Sequence, residues 1–393
     1  MTSQAAPPPF PFLALSVLST GFFVLGVAAL SVIALSEAMA AGLEVSVAEI
    51  ALLVTVYALT YALAAPGLQV VFKGLSPKRL IVSGLLVMTA GAALAALAPG
   101  YGLVLVGRVV MALGAGLVGP LSLATGGTMV PPSQQGRALA TVFSGMTLAT
   151  VVGLPALAWL GLLVGWREAT GLIGLAALLA AGLVWRLVPE PKSWQAASLA
   201  LLISALRQPK ITWAVLVTFL QMSGQFATYA VIAAFLAERY ATDVSLLPLA
   251  LLLFGVGGIV GNAIGGWAAD RMRVETLLLS NLAVNGAIFL ALALAPGSPL
   301  IGLALTFAWA VTGMMFQSPQ QKRLVSLAPA SSGLVLALHA SALYVGMSFG
   351  ALLAGWAATE FGYDLLPYLS LLITVAAMGA SLLATRARRL SEA

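Results

Sequence analysis

"LVLALHASALYVGMSFGALLAG", residues 334–355, contains no aspartate, glutamate, lysine or arginine, and it holds His339, the only histidine in the protein. About 20 consecutive apolar residues suffice to carry a helix across the hydrocarbon core of a bilayer, so this stretch predicts a membrane span. Runs of the same kind recur along the whole chain, near 10–36, 47–72, 79–97, 102–128, 137–162, 169–188, 211–237, 244–268, 275–295, 299–318, 331–357 and 365–386. The 393 residues are 61% hydrophobic and 8% charged, where a soluble domain carries about 25% charged residues. Lipid cannot satisfy open backbone groups, which favours helices. The runs are also too long and continuous for the alternating pattern of a membrane barrel. The expected fold is an all-α integral membrane protein with twelve transmembrane helices.

A net charge of +6 could suggest a nucleic-acid partner, but the positions of the charges argue for topology instead. Lys73, Lys78, Arg79, Arg137, Arg186, Lys192, Arg207, Lys210, Arg271, Arg273, Lys322, Arg323, Arg386, Arg388 and Arg389 fall at alternate helix ends. Only Arg167 and Arg239 fall at the other ends, beside most of the acids, Glu37, Glu44, Asp243 and Asp364 among them. This is the positive-inside bias. It predicts a multi-pass inner-membrane protein with both termini and the 188–210 segment in the cytoplasm. No nucleic-acid partner is expected. There is no cysteine, hence no disulfide framework and no thiolate metal site; no metal or cofactor is expected. The start, "MTSQAAPPPFPF" (1–12), lacks the charged beginning and cleavage site of a signal peptide, so the first helix is read as a retained span.

The chain also repeats itself. At an offset of 197 residues Pro132 meets Pro329, Gly136 meets Gly333, Leu139 meets Leu336, Ala140 meets Ala337, Ser144 meets Ser341, Gly153 meets Gly350, Trp159 meets Trp356 and Gly165 meets Gly362. Two parallel repeats joined by a linker are a common transporter plan. The expected division is a six-helix bundle over 1–190, a cytoplasmic linker over 191–210 and a second six-helix bundle over 211–393. Within the linker, 195–207 reads as an amphipathic surface helix or as an unstructured tether.

Several motifs now carry a resemblance. "GRVVMALGAG" (107–116), "MVPPSQQGRALATVFSGMTLATVVGLP" (129–155), "GNAIGGWAADRMR" (261–273) and "QKRLVSLAP" (321–329), in this order, resemble the major facilitator superfamily. They are most similar to its drug and sugar efflux branch, the arabinose-efflux-permease type of drug:proton antiporter. The resemblance covers nearly the whole chain. It implies two pseudo-symmetric six-helix bundles that work by alternating access. It also implies a cavity lined by helices 1, 4, 7 and 10 with 2, 5, 8 and 11 beside them. Asp270, Arg271 and Arg273 match the family's gating loop. The corresponding loop of the first half, "GLQVVFKGLSPKR" (67–79), has Val71 and Phe72 where that pattern has Asp and Arg. The branch often carries G-T-x-E in its first helix, with the carboxylate thought to carry protons. Here "GVAALS" (26–31) puts Ala29 at the acid position, and no Asp or Glu lies mid-span anywhere.

Physical chemistry singles out the remaining residues. Gly145, Ala149 and Gly153 share one face of helix 5, and small faces of this kind let membrane helices approach closely. Pro155 is expected to kink that helix; with Gly145 and Gly153 it is assigned to gating. Arg108 lies within helix 4, and a charge inside the membrane is a functional-site hypothesis by default; the competing reading is snorkelling to the headgroups. Gln221, Gln225 and Tyr229 are four apart on helix 7 and share a face. Because the resemblance implies that helix 7 lines the cavity, helix 7 is the expected source of substrate hydrogen bonds, with Tyr57, Tyr61 and Trp309 as flat walls. Asn281 and Asn285 are expected to bond between helices. His339 is either a bridge between helices or, with Arg108 and Tyr344, a coupling site, since imidazole titrates near neutrality.

The expected function is export of a small organic molecule such as a drug, sugar or nucleoside by a monomer. Whether protons are coupled is left open. The alternatives are an uptake carrier or uniporter of a small neutral metabolite, and a non-transporting membrane sensor. Enzymatic chemistry would need an acid pair, nucleophile or metal cluster at membrane depth, which the sequence does not offer.

Overall fold

The computed structural model describes residues 10–72, 74–131, 134–190, 204–328 and 332–392. Lys73, Lys192, Pro132, Pro329 and most of the expected linker helix fall outside them; of that helix, residues 204–206 are helical. Among the described residues the chain forms helices throughout. Eleven helices are long and apolar enough to cross a membrane, and a bent pair brings the total to twelve.

The spans are α1 (Phe12–Ala34), α2 (Val47–Val71), α3 (Pro77–Ala96), α4 (Tyr101–Thr128), α5 (Gln135–Leu148 and Leu154–Val164), α6 (Trp166–Leu187), α7 (Pro209–Tyr229 continuing as Ile232–Tyr240), α8 (Leu247–Arg271), α9 (Val274–Leu294), α10 (Pro299–Met315 continuing as Gln317–Leu327), α11 (Ser332–Phe361) and α12 (Leu366–Glu392). A short helix, Ser36–Leu43, follows α1. With an even number of spans, α1 begins and α12 ends on one face, here called the terminal face; the other is the distal face.

Local chemistry sets the ends. At α2, Ser46 accepts the backbone N–H of Glu49, while Glu49 accepts the backbone N–H of Ser46 at 2.8 Å, a reciprocal cap. Pro77 opens α3 and Ser76 caps it. Gly165 and Gly362, matched by the repeat, both take positive φ, +99° and +78°. Each makes the distal turn after its span, α5 and α11 respectively, a backbone geometry that glycine adopts without steric cost. The Trp159 and Trp356 pair lies exposed near those distal ends, as interfacial tryptophans do.

The same repeat governs packing. A side chain at Gly145 would strike the carbonyl of Ser19, so α5 lies directly on α1. In the second half a side chain at Gly350 would strike the carbonyl of Ser223, so α11 lies directly on α7. Ala149–Gly153 winds as a π-turn inside α5. The expected disturbance near Pro155 takes this form, one extra residue in the turn before the proline.

The two halves meet mostly toward the distal face. Gly355 of α11 abuts Ala48 and Ala51 of α2, Thr55 and Ser348 exchange hydrogen bonds at 3.3 and 3.1 Å, and Tyr61 meets Tyr344. Gly255 of α8 abuts Thr150 and Val151 in the π-turn of α5. Toward the terminal face the helices turn to partners in their own half. The first segment of α5 packs on α1 and α4, while Gly261 and Gly265 of α8 press on Val311 and Met315 of α10. The halves thus diverge toward the terminal face.

Candidate functional site

Arg108 is 2% exposed, which removes the snorkelling reading. Its Nη1 donates to the Ala28 carbonyl at 2.6 Å and to Ser31 Oγ at 3.2 Å, and its Nη2 donates to the Ala29 carbonyl at 3.1 Å. Its Nε donates to the Leu53 carbonyl at 3.4 Å, and the guanidinium lies 4.3 Å from the centre of the Tyr57 ring. The planar fork therefore pins α4 to α1 and α2 through backbone carbonyls and one ring face. At Ala29, where the efflux branch often has an acid, the arginine meets the backbone instead.

Tyr57 and Tyr61 do not stand as free walls of a cavity. Tyr57 is fully buried, and its hydroxyl has no hydrogen-bond partner among the described residues. Tyr61 and Tyr344 meet ring on ring at 3.9 Å across the α2–α11 seam. Arg108, Tyr57, Tyr61 and Tyr344 thus form one connected cluster that reaches from α4 to the seam between the halves.

The helix-7 stripe does converge with Trp309. The indole Nε1–H donates to Gln225 Oε1, and Tyr229 stacks on Phe254 at 4.2 Å. Trp309 stands edge-on to Tyr229, Phe254 and Phe289. This is a packed aromatic cluster of α7, α8, α9 and α10. Gln221 lies one turn toward the terminal face, 1% exposed, with neither amide atom paired among the described residues. Burying an amide unpaired is costly. Asn281 donates to the Thr312 carbonyl at 2.9 Å and Asn285 accepts from Thr312 Oγ1 at 2.8 Å, ties between α9 and α10.

His339 joins three helices. Its Nδ1 lies 3.0 Å from Thr218 Oγ1 of α7 and its Nε2 lies 3.3 Å from Gln317 Oε1 of α10. Helical spacing alone did not single out Thr218 or Gln320; both lie on the inward faces of their helices, and that was the available signal.

At the terminal face, Asp270 pairs with Lys322 at 3.1 Å, and Lys322 also donates to the Ala269 carbonyl. Arg271 covers the Trp267 ring at 4.7 Å. Arg273 precedes the first turn of α9. Glu275 and Arg388 form an ion pair between α9 and α12 at 2.9 Å. Asp270 and the Ala269 carbonyl, through Lys322, thus brace α8 against α10. Gly145 and Gly153 lie in the α5–α1 contact, with Pro155 just beyond the π-turn.

At the distal seam, Glu37 faces a small pocket with Thr242, Asp243 and Val244. Burial and the nearby Asp243 carboxylate hold Glu37 above the usual carboxylate range. Asp243 accepts the Ser245 N–H at 2.8 Å, and hydrogen bonds to Ser245 hold it below its usual value. The two acids are thus set apart in proton affinity.

Twelve membrane helices in two repeat-related bundles, closed on each other at one face, define the class: a multi-pass membrane transporter. The sequence profile described as Major Facilitator Superfamily matches residues 17–332 and, in a second match, 214–392; the chain belongs to that family. It is 28% identical to the inner membrane transport protein YdhP of Escherichia coli (strain K12) over 367 residues, 93% of either chain. It is 27% identical to a probable sugar efflux transporter of Mannheimia succiniciproducens, over 88% of this chain and 87% of that protein. A solved bacterial homolog of the human lysosomal transporter Spinster, inward-facing and unoccupied, superposes with a TM-score of 0.79 at 16% identity. That match covers 97% of this chain and 98% of the other. The protein is accordingly a transporter and not an enzyme.

Proposed function

We propose that this protein exports a small organic molecule across the inner membrane by alternating access, with both termini in the cytoplasm. The observation that carries the reading is the one-sided closure of the halves, joined through α2–α11 and α5–α8 at the distal face and separate toward the terminal face. The positive-inside bias makes the terminal face cytoplasmic, so this conformation takes its cargo from inside. The resemblance to a protein described as a probable sugar efflux transporter supports the outward direction. The division into 1–190, a 191–210 linker and 211–393 is part of the proposal, as is action as a monomer.

Within this reading Gln221, Gln225, Tyr229 and Trp309 form the substrate wall of the second half, with Tyr57 and Tyr61 at the seam opposite. Arg108 reaches substrate only if it releases α1; in this conformation it is a pin. Asp270, Arg271 and Arg273 hold the terminal end of the second half together as the halves rock. His339, with Tyr344 a little over a turn further along α11 and with no mid-span carboxylate to compete, is the proposed site of any proton coupling. The cavity chemistry suits a neutral, amphipathic or weakly anionic molecule.

The test is a thermal-shift screen of purified protein across drugs, sugars, nucleosides and amino acids. Counterflow in proteoliposomes follows for every compound that raises the melting temperature. Export is supported when vesicles of inverted orientation accumulate the compound. Accumulation only in right-side-out vesicles assigns uptake instead, and absence of counterflow for every stabilising compound assigns a sensor.

A further inference from the structure

Gln320 of α10 is fully buried, with its amide nitrogen 2.6 Å from the Ala214 carbonyl and 3.0 Å from Thr218 Oγ1. Only the NH2 end of an amide can donate to a carbonyl, so the orientation of Gln320 is fixed and Thr218 Oγ1 is an acceptor from it. The hydroxyl proton of Thr218 then needs an acceptor of its own. Among the described residues the one within hydrogen-bond distance is His339 Nδ1, 3.0 Å away.

The consequence runs through the ring. An Nδ1 that accepts leaves the proton of the neutral imidazole on Nε2, and that N–H donates to Gln317 Oε1 at 3.3 Å. With its oxygen held, Gln317 turns its amide nitrogen away, where the neighbour is Met222 Sδ at 3.9 Å, a weak acceptor. The opposite tautomer would strand the buried Thr218 proton and set the Nε2 lone pair against the Gln317 oxygen. Gln317 is half-buried, while Gln320 behind it is sealed. α10 is flanked by α8 at Gly257 and Gly261 and by α9 at Asn281. The face that carries the half-buried Gln317 and the exposed Gln321 is therefore the one left toward the gap between the halves.

We propose that Gln320 and Thr218 are positioning residues that fix His339 as its Nε2–H tautomer, and that this makes Gln317 a hydrogen-bond donor toward the cleft. The ligand chemistry that fits is an acceptor oxygen: a carbonyl, hydroxyl or carboxylate group. The ligand preference rests on reading the cleft as the transport path; the tautomer does not.

His339 is the only histidine, so [15N]histidine labelling reports this ring alone. Nitrogen NMR of the full-length protein in lipid at pH 8 is expected to show an N–H resonance at Nε2 and a lone-pair resonance at Nδ1. Thr218→Val and Gln320→Leu are expected to release the ring into a mixture of tautomers, with melting temperature measured alongside to show that each variant is folded. A wild-type ring with its proton on Nδ1 overturns the proposal even if neither variant folds. In that case the Nε2 lone pair would draw the Gln317 NH2 inward, and the donor face would be lost with it. An unchanged Nε2–H ring in folded Thr218→Val also overturns the assignment of Thr218 as its director. If the tautomer is as expected but no compound with an acceptor oxygen raises the melting temperature, the ligand preference fails and the relay stands.

Discussion

Arg108 is the residue on which the first half turns. Its guanidinium satisfies three carbonyls, Ser31 and the face of Tyr57, a set that the point charge of lysine cannot reproduce. Arg108→Lys is expected to lower the melting temperature and to suppress transport, because at least one of the Ala28, Ala29 and Leu53 carbonyls loses its donor. A buried unpaired group costs about 1–3 kcal/mol. Wild-type melting and transport in Arg108→Lys would remove the pin. Gln225→Ala is expected to cost stability as well as substrate affinity, since it strips the acceptor from the buried Trp309 indole; an unchanged melting temperature would show that water replaces the amide. The sequence picked out Arg108, Gln225, Tyr229 and Trp309, because polar and aromatic groups inside a span stand out. It did not reveal their partners. Helical spacing says which residues share a face, but not which neighbouring helix that face meets. So Tyr57 and Tyr61 read as cavity walls where the structure has Tyr57 under Arg108 and Tyr61 in the α2–α11 seam. Thr218 and Gln320 passed unremarked because each is an ordinary polar residue until Thr218 is placed between Gln320 and His339.

The helices themselves were legible because lipid leaves the backbone few choices, and the repeat fixed the pairing of α5 with α11. The 57° bend of α7 at Ala230–Val231 was not legible. No proline or glycine lies between Gln225 and Tyr240, and the bend sits where Tyr229 stacks on Phe254 and meets Trp309 edge-on, contacts made by other spans. Glycines give the test at this scale. A Cβ on Gly255 would lie 2.6 Å from the Thr150 carbonyl, so Gly255→Ala must push α8 off the π-turn of α5. Overpacking of this kind costs about 1–3 kcal/mol, and here it falls on the seam between the halves. A Cβ on Gly67 of α2 meets nothing within 4 Å. Gly67→Ala is therefore expected to gain about 0.5–1 kcal/mol from helix propensity. Melting curves of the two variants should move in opposite directions; a shift of the same sign in both would show that the seam does not pack as described.

For the whole molecule, the two faces make the functional claim. The distal seam carries Glu37, whose proton affinity is raised by burial and by Asp243, with Thr242 in the same pocket and Glu238 and Tyr363 close by. A carboxyl raised in the folded state contributes its stability at low pH and loses it as pH rises through the raised value. The closed distal seam is thus expected to be firmest in acid and to loosen toward neutral pH, and Glu37→Gln should flatten that dependence of the melting temperature. The central claim, that the halves rock about a distal closure, has a direct measurement. The chain contains no cysteine, so spin labels can be placed without first removing any. One pair, Ala41→Cys with Glu360→Cys, spans the distal face, and another, Leu75→Cys with Met272→Cys, spans the terminal face; all four positions are exposed. Electron–electron distance measurements in liposomes should give a short, narrow distal distance and a long terminal one. On addition of a compound that raised the melting temperature, the distal distance should lengthen as the terminal one shortens. Distances that stay fixed, or that move in the same sense at both faces, would contradict alternating access in this protein.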